Sequence, residues 1–410
     1  MSASQNATAQ HGGDARLTAA PSRRADGVIC FGGEDWWYHN RGHFDMQLMR
    51  RFARRLPVLY VNSIGMRVPS PGEGRMFFTR IHRKVRSLRR GFVRADDNFA
   101  LLSTPVMPGP MGLRLTSPWL KRSVLAAAAR MKIRSPLLWI ACPTAAAVVD
   151  RLPSAGVLYQ RTDRYERFSG VDISQIRAFD RWLKSRADLT VFCSSCLESE
   201  EQADCRRTAF IDHGVDVDRF VRGGDAADGD PDDMRDIARP RVGFVGGIDR
   251  HTFDPELLLR TARKLPDVQF VLVGGCSLPA GWRLEPNVHL LGQKPYEQVA
   301  AYMGACDVLI MPWRRSSWIE GCNPVKLKEY LATGRPIVST SFPELARYED
   351  LVRTANDADD FAREIREALN EPFDPRPGRD FVRESGWGVR ADEAVRTLAE
   401  AGVELRGWPA

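Results

Sequence analysis

Lys326 and Glu329 stand three positions apart in the segment of this sequence whose residue types and spacing most clearly suggest chemistry. Asn323, followed by a proline, marks the start of a helix, because Asn can cap the first turn and Pro suits its first position. Gly334 can end that helix, and the apolar residues 336–339 then predict a short buried strand. Residues three apart share one helix face, so the cation and the carboxylate could together meet a diphosphate and a ribose diol. An ordinary helix–strand unit of an α/β core is the alternative interpretation.

A second group of reactive side chains follows the first apolar strand of the chain, residues 27–31. Two carboxylates and two imidazoles occur there among three aromatic residues: Glu34, Asp35, His39 and His43. Ligands of parallel α/β sheets bind at the carboxyl ends of the strands. Aromatic faces beside carboxylates suit a sugar, whose C–H face stacks while its hydroxyls donate hydrogen bonds. Alternatively, this segment is a solvated loop whose tryptophans pack on a neighbouring domain.

Short apolar strands alternate with helical segments from residue 27 onward, which is typical of doubly wound α/β folds. Residues 221–240 interrupt this alternation with Gly, Asp and Pro and little apolar content, so their composition predicts a linker. A second series of strands begins after it, and we therefore predict an α/β protein with two Rossmann-like domains. The predicted parts are a disordered leader (1–25), an N-terminal domain (26–220), the linker (221–240), a C-terminal domain (241–385) and a terminal segment (386–410).

Five stretches of the sequence together resemble glycosyltransferases of the GT-B architecture, which consists of two Rossmann-like domains. The run from Asn323 to Pro336, Asn-Pro-Val-Lys-Leu-Lys-Glu-Tyr-Leu-Ala-Thr-Gly-Arg-Pro, is similar to the nucleotide-sugar signature of bacterial exopolysaccharide and teichuronic-acid glycosyltransferases. The other four occur in the order that the family has, at residues 213–216, 241–247, 268–275 and 287–292. The resemblance covers most of residues 208–395. It implies that the terminal segment forms a helix that crosses back to brace the first domain.

The resemblance assigns the donor nucleotide to the C-terminal domain and the acceptor to the N-terminal domain, and it implies that Glu329 binds the ribose. Glycines after the first strand of the donor domain would let backbone N–H groups approach a phosphate. Common retaining members carry a second acidic residue eight positions before the ribose glutamate; here that position is Gly321, and Glu320 is one place off. Retention and inversion of the anomeric configuration both stay open. The implied donor-binding residues are Gly246, Gly247, Arg250, Glu320, Asn323, Lys326 and Glu329.

The resemblance also points to Asp163, because related inverting GT-B enzymes have an aspartate in this region. In inverting transfer, a carboxylate or an imidazole removes the proton of the acceptor hydroxyl as that oxygen attacks the anomeric carbon. Asp163 is the first candidate for this base, and His39 and His43 are rivals because unperturbed imidazole titrates near neutrality. Glu34 and Asp35 complete the set of candidate catalytic residues. Alternatively, Asp163 caps a turn or pairs with a neighbouring arginine.

Basic residues are concentrated in residues 64–136, which hold 15 Lys or Arg against 3 Asp or Glu. This local balance of +12, within a net charge of +7, indicates an anionic partner. Apolar residues recur at spacings of three and four along residues 75–94, which predicts a basic amphipathic helix of the kind that lies on membranes. A surface helix that packs its stripe on its own domain is the alternative. The residues expected to meet an anionic leaflet are Arg83, Lys84, Arg86, Arg89 and Arg90.

Composition excludes several classes of protein. A hydrophobic content of 43% and a charged content of 27% are those of a globular chain, not of a disordered one. No uncharged apolar run reaches the 18 or so residues that span a bilayer, and the N-terminus lacks a hydrophobic signal core. The eight cysteines lack zinc-finger spacing, so we expect reduced structural thiols. We expect no nucleic-acid partner, because no RNP string, zinc finger or basic zipper occurs.

These features predict a cytoplasmic glycosyltransferase of the hexosyltransferase type, associated peripherally with the inner face of the membrane. It would move a sugar from a nucleotide diphosphate sugar to a lipid-linked glycan acceptor in polysaccharide synthesis. We expect no tightly bound cofactor and no metal, because no Asp-x-Asp string lies at a strand end. A nucleotide-sugar epimerase of the same architecture is one alternative. A catalytically inactive GT-B membrane adaptor is another, and the off-register Glu320 keeps it open.

Overall fold

A computed structural model of the chain describes residues 22–38, 42–66, 75–168, 170–225, 229–279, 282 and 285–408, without the side chains of residues 75–80. The predictions for residues 1–21 and for His39 lie outside the described residues. The described strands are β1 (Arg23–Ala25), β2 (Gly27–Phe31), β3 (Val58–Val61), β4 (Phe92–Asp96), β5 (Phe99–Leu102), β6 (Pro136–Ile140), β7 (Gly156–Arg161), β8 (Leu189–Phe192), β9 (Thr208–Phe210), β10 (Arg241–Val245), β11 (Gln269–Val273), β12 (Val288–Gly292), β13 (Val308–Met311), β14 (Ile337–Thr340), β15 (Arg353–Ala355) and β16 (Val403–Leu405). The described helices are α1 (Phe44–Phe52), α2 (Arg75–Arg90), α3 (Pro110–Arg130), α4 (Ala146–Val149), α5 (Ile173–Arg186), α6 (Ser195–Glu201), α7 (Val217–Gly224), α8 (Pro255–Lys264), α9 (Tyr296–Gly304), α10 (Val325–Thr333), α11 (Ala358–Asn370), α12 (Arg376–Arg383) and α13 (Trp387–Glu400).

The first domain is built on a mostly parallel sheet whose described strands have the order β4-β5-β3-β2-β6-β7-β8-β9. β4 runs antiparallel to β5, and the other neighbouring pairs are parallel. The central strands β2, β3 and β6 are buried along their whole length, as expected for parallel strands that helices cover on both faces. Phe52 of α1 and Trp139 belong to the core on one face, whereas Leu120 and Val124 of α3 belong to the core on the other.

The second domain contains a parallel sheet whose described strands have the order β12-β11-β10-β13-β14-β15. Leu327 and Tyr330 of α10 contribute to the core on one face of this sheet. Leu258 of α8 and Phe361 of α11 contribute to the core on the other face. Two such α/β bodies confirm the predicted fold class.

The C-terminal helix α13 returns to the first domain and packs there. Trp387, at its first position, is buried with its ring 5.9 Å from that of Phe44. Gly214 makes room for this indole, because a Cβ at that position would lie 2.5 Å from Trp387 Cδ2. Beyond the helix, β16 pairs in parallel with β1. The predicted crossing helix is therefore present, and the strand that follows it pairs with the N-terminal strand.

Three elements differ from the sequence-based expectations. The helix predicted over residues 75–94 ends at Arg90, and Phe92 lies in β4 because the chain turns at Gly91 with a φ of +56°. The segment expected to be a linker begins inside α7, which packs on α9 and α10 of the second domain. Residues 23–25, assigned to the leader, form β1. None of the described helices has the length and apolar content needed to cross a bilayer.

A buried ionic network joins the two domains. Asp212, just after β9, is 5% exposed, and its carboxylate accepts hydrogen bonds from Lys328 Nζ and Arg347 Nη2, each at 2.7 Å. Asn323 Nδ2 donates to Asp212 Oδ1 at 2.8 Å and to Cys193 O at 2.7 Å. The two cations hold the pKa of Asp212 below its usual range against the opposing effect of burial. A carboxylate of the first domain thus neutralises the fully buried ammonium of Lys328 in the second.

Asp212→Asn should therefore destabilise the protein strongly, because it leaves the Lys328 ammonium buried without its counterion. Breaking one partner of a buried ion pair costs about 3–5 kcal/mol, and urea unfolding followed by circular dichroism would measure the loss. The control is Asp267→Asn, which removes an exposed ion pair with Arg366 that solvent screens. Equal losses of stability in the two variants would contradict the role assigned to Asp212.

Candidate active site

A cavity of about 700 Å³ lies between the two domains. Its walls are loops that follow strands at the facing carboxyl edges of the two sheets, where open α/β sheets bind ligands. The N-terminal wall includes the loops after β2, β3, β6 and β7, the start of α1, Arg83 of α2 and His213. The C-terminal wall includes the loops after β10, β11, β12 and β13, the start of α9 and the first turns of α10. We call this cavity the cleft.

Glycines shape the C-terminal wall of the cleft. Gly274 has a φ of +154°, and a Cβ there would lie 1.7 Å from Gly246 O, so the loops after β10 and β11 approach each other only without side chains. A Cβ on Gly246 would lie 2.7 Å from Lys326 Cε. The absence of a side chain at Gly246 therefore leaves the space that the stem of Lys326 occupies. The result is a cation beside a glycine-lined backbone surface, an arrangement suited to an anion.

Lys326 and Glu329 lie on the same wall of the cleft, as their spacing on α10 predicts. Glu329 is 6% exposed, and burial raises the pKa of its carboxyl. Lys326 opposes that increase, and Glu329 in turn opposes the decrease that burial causes in the pKa of Lys326. Each charge thus stabilises the other in a partly dehydrated site.

Tyr296, at the start of α9, positions Glu329. Its hydroxyl donates a hydrogen bond to Glu329 Oε1 at 3.3 Å, and the guanidinium carbon of Arg219 lies 5.1 Å from the centre of its ring. Both groups favour the ionised form of the Glu329 carboxyl and so limit the increase in its pKa. A Cβ on Gly42, in the loop of the first domain, would lie 3.5 Å from the Tyr296 ring. The residue that supports the carboxylate therefore also contacts the opposite wall.

Asp163 lies on the N-terminal wall, in the turn that follows β7. Burial raises the pKa of Asp163 to about 6, and the charge of Glu34 adds to this effect. Arg161 and His43 oppose the increase in the pKa of Asp163. At neutral pH this carboxylate is ionised and is a stronger base than an ordinary aspartate.

The arginines next to Asp163 are engaged with other carboxylates. Arg161 is buried and donates to Glu201 and Glu166 at 3.0 Å. Arg164 Nη2 donates to Glu200 at 2.6 Å. Neither arginine forms an ion pair with Asp163 in the described part of the chain, and Asp163 lines the cleft. This geometry favours a chemical role for Asp163 over a structural ion pair.

Hydrogen bonds to side chains of α1 and of the residue that follows β3 fix the loop after β2. Asp45, the second residue of α1, accepts hydrogen bonds from the backbone N–H of Gly33 at 3.0 Å and from Tyr60 Oη at 2.9 Å. Asn62 Oδ1 accepts from the backbone N–H of Trp36 at 2.9 Å, and the Trp36 indole is buried. Trp36 is therefore part of the core, and the loop is held rigidly enough to present its polar residues to the cleft.

Comparison with known proteins identifies one domain of the molecule. Residues 239–371 match the model of a protein family described as Glycosyl transferases group 1. The chain carries a glycosyltransferase group 1 domain. This domain contains the glycine loops, Lys326 and Glu329, and it therefore forms the entire C-terminal wall of the cleft.

Curated relatives of the chain are glycosyltransferases by name. The chain is 30% identical over 190 residues to a proposed teichuronic acid biosynthesis glycosyltransferase, TuaH, of Bacillus subtilis, covering 42% of this chain and 45% of that protein. It is 29% identical over 233 residues to the D-inositol 3-phosphate glycosyltransferase of Mycolicibacterium smegmatis, covering 51% of each. The matched part of the chain thus spans about half the length of these relatives.

Solved structures with the same fold are similar over nearly the whole chain. Sucrose-phosphate synthase from Thermosynechococcus elongatus superposes with a TM-score of 0.68 at 17% identity, covering 92% of this chain and 98% of that one. Anabaena HepE, solved with UDP and glucose, superposes with a TM-score of 0.63 at 14% identity, covering 92% and 99%. At these identities the likeness establishes the fold, which is the GT-B architecture.

The cleft brings together most of the residues selected from the sequence. Those that line it are Glu34, His43, Asp163, Gly246, Gly247, Asn323, Lys326 and Glu329. Asn323 contributes chiefly to the interdomain network, because its amide donates to Asp212 and Cys193. His39 lies outside the described residues. No group of three or more His, Cys, Asp or Glu side chains among the described residues is arranged to hold a metal ion.

Three selected residues lie away from the cleft lining. Asp35 accepts a hydrogen bond from the backbone N–H of Trp37 and so stabilises its own turn. Arg250 is exposed and is absent from the cleft wall of the group 1 domain. Glu320 lines a separate cavity of about 580 Å³ beyond β13 and β14, together with Glu349. The one-residue offset of Glu320 in sequence thus corresponds to a different location in space.

Several cleft residues were not selected from the sequence for a role in the site. Phe168 and Trp318 lie on opposite walls, with ring centres 6.4 Å apart. His213 is buried, and burial lowers its pKa to about 3, so its imidazole is neutral. No sequence pattern around Tyr296 indicated that it belongs to the site. Trp318 lies two positions before Glu320, and this proximity could have suggested it from the sequence. Contacts between the domains cannot be seen in a single sequence.

The Asp163→Asn variant should become progressively more stable than wild type as the pH rises from 4 to 7. Because the folded-state pKa of about 6 exceeds the ordinary value, folded wild type binds more protons than the unfolded chain in this window and loses stability as they dissociate. The asparagine variant lacks this loss, and the difference in unfolding free energy should reach about 1–3 kcal/mol above pH 6. Urea unfolding at pH 4, 5, 6 and 7 measures it. A pH-independent difference, or a variant less stable at pH 7, would show that the carboxyl is not desolvated as described.

Proposed function

We propose that this protein is a glycosyltransferase that moves a sugar from a nucleoside diphosphate donor to an acceptor hydroxyl. The observation that carries the proposal is the joint placement of Lys326 and Glu329 on one wall of the cleft, beside glycine loops that leave the backbone open. The membership of this wall in a group 1 domain supports it. So do the UDP and glucose in the solved HepE structure.

On this proposal the C-terminal wall binds the donor. The Lys326 ammonium and the backbone around Gly246 and Gly247 receive the diphosphate, since an ammonium and N–H groups complement phosphate oxygens. The Glu329 carboxylate accepts hydrogen bonds from the ribose hydroxyls, and the hydrogen bond from Tyr296 orients that carboxylate. Lys326 then stabilises the negative charge that collects on the diphosphate as it leaves.

The N-terminal wall would receive the acceptor, and Asp163 would be its base. Asp163 takes the proton of the acceptor hydroxyl, the acceptor oxygen forms a bond to the anomeric carbon, and the bond from that carbon to the diphosphate breaks. This assignment implies inversion at the anomeric carbon. His43, also in the cleft, is the rival base.

We further propose a lipid-linked acceptor, a place in polysaccharide synthesis and association with the inner face of the membrane. α2 supports this placement, because one of its sides contacts the first domain. Lys84 donates to Ser63 O, and the Ser87 hydroxyl lies 3.0 Å from that of Ser103. Ile81 and Val85 remain 40% and 43% exposed. Arg86, Arg89 and Arg90 are exposed beside them. Lys84 thus faces the protein and Arg83 the cleft, and the guanidinium carbon of Arg90 lies 4.0 Å from the centre of the Trp37 ring, which leaves Arg86 and Arg89 for a leaflet.

Lys326→Ala and Glu329→Gln should each weaken nucleoside diphosphate binding tenfold or more, since charge-assisted hydrogen bonds contribute about 1.5–3 kcal/mol each. Isothermal titration calorimetry with UDP and GDP measures the change. Glu320→Gln is the matched control, because its carboxyl lies in the separate cavity and its loss should leave affinity unchanged. Wild-type affinity in folded Lys326 and Glu329 variants would remove both residues from the donor site.

Asp163→Asn should lower turnover by about 10²–10⁴-fold while leaving donor affinity nearly intact, because it removes the base without touching the opposite wall. The wild-type rate should rise with pH through about 6, as the Asp163 carboxyl loses its proton. Initial rates from pH 5 to 8 test both statements. If the Asp163 variant turns over like wild type and His43→Gln does not, the base is His43.

A further inference from the structure

α3 exposes an apolar stripe that the first domain does not use. Met111, Leu115 and Trp119 are 76%, 68% and 57% exposed, and Met107, just before the helix, is 56% exposed. Their spacing of four places them along one side of α3. Large apolar side chains scattered singly over a surface are ordinary, whereas a contiguous row of four marks an interaction site.

The stripe is distinct from the face through which α3 packs on its own sheet. Leu113, Leu120 and Val124 are buried, the latter two in the core beneath the sheet. The exposed row lies on the first three turns of the helix, before the part that covers the sheet. α3 therefore has one apolar face in the core and a second apolar row toward solvent, and only the first is needed for folding.

Charge around the stripe identifies the occupant. Residues 98–149 contain no Asp or Glu, and Arg114, Arg122 and Arg130 are exposed on α3 itself. Arg122 falls on the helical side of Met111 and Leu115, since positions seven and eleven apart share a face. A second copy of the chain fits poorly, because a two-fold interface would oppose these arginines to their own equivalents without a nearby acid. An anionic surface complements them.

The C-terminal end of α3 lies close to the end of the basic helix. The guanidinium carbon of Arg130 lies 5.2 Å from the ring centre of Phe92, the first residue of β4, and α2 ends two residues earlier at Arg90. α2 and α3 thus flank the same edge strand, each with exposed apolar residues among arginines.

We propose that the α3 stripe inserts into the interfacial region of an anionic lipid leaflet. The inference deepens the membrane association proposed above and rests on it: the α2 arginines supply electrostatic attraction, and the α3 side chains supply apolar insertion. Tryptophan suits the headgroup level of a bilayer, where its ring lies between apolar and wet surroundings. Arginines can bury their stems and keep their charges at the phosphates.

The test is partitioning of the full chain onto vesicles of phosphatidylcholine with 30% phosphatidylglycerol, at 0.1 M and 0.5 M NaCl. The α3 variant is Met111→Ser, Leu115→Ser, Trp119→Ser, and the control is Ile173→Ser, Phe373→Ser, Val389→Ser, which removes three exposed apolar groups elsewhere. We expect the α3 variant to lose at least about tenfold in partitioning at both salt concentrations, because insertion of apolar area is not screened. The control should match wild type.

An Arg86→Gln, Arg89→Gln variant separates the two contributions, since it should lose binding mainly at low salt. Wild-type partitioning by the α3 variant would overturn the α3 inference while leaving α2 docking in place. The α3 inference would also be overturned if sedimentation velocity showed that wild type is a dimer and the α3 variant a monomer, while the two partition equally onto vesicles. Titration of each variant with UDP and GDP checks the fold. Failure of wild type to bind either nucleotide would count against the transferase proposal and not against the vesicle result.

Discussion

The buried charge of Lys328 is the constraint on which the geometry of the cleft depends. An ammonium without solvent needs a counterion, and the carboxylate that serves, Asp212, belongs to the other domain. Lys328 lies two positions from Lys326, so the two side chains leave α10 on different sides. One side of the helix thereby fixes the domains against each other, and the other presents the donor-binding pair to the cleft.

The other contacts between the domains reinforce that arrangement. Ser195, at the start of α6, donates from its hydroxyl to Glu344 at 2.8 Å, close to the Arg347–Asp212 pair. α13 carries Trp387 into the core of the first domain and ends beside the β1–β16 pair. These contacts join the domains through residues that do not line the cleft. A site built between two rigid sheets can hold a donor and an acceptor on separate surfaces and still bring them to one point.

Sequence reasoning reached the architecture and half of the site because those features are local. The alternation of strands and helices and the three-residue spacing of Lys326 and Glu329 both lie within short windows. The cap expected at Asn323 was wrong, because α10 begins at Val325 after Pro324 and the Asn323 amide binds Asp212 and Cys193 instead. The helix boundary at Arg90 was missed because Phe92 continues the helical spacing of apolar residues, whereas the backbone reverses at Gly91. The second stripe on α3 was missed because its helix is apolar on two sides, which hides any single periodicity.

What sequence could not supply is the pairing of distant side chains. Asp163 is free to act because Arg161 and Arg164 bind carboxylates some 35 to 40 positions away. Glu320 resembles a displaced donor-site acid in sequence, yet the loop turns it to another cavity. Tyr296 supports Glu329 from a different helix. Each depends on tertiary contacts that one chain without structure does not reveal.

The most direct test of the central claim compares UDP and GDP with their 2′,3′-dideoxy counterparts as ligands of the wild-type protein by thermal and urea unfolding. A ligand at 100 times its Kd stabilises the folded state by about 2.7 kcal/mol. The account predicts that at least one ribonucleotide stabilises the protein to this extent and that its dideoxy form binds at least tenfold more weakly, because Glu329 then lacks the ribose hydroxyls. Absence of stabilisation by either ribonucleotide, or equal affinity for the ribose and dideoxy forms, would contradict the placement of the nucleotide on α10.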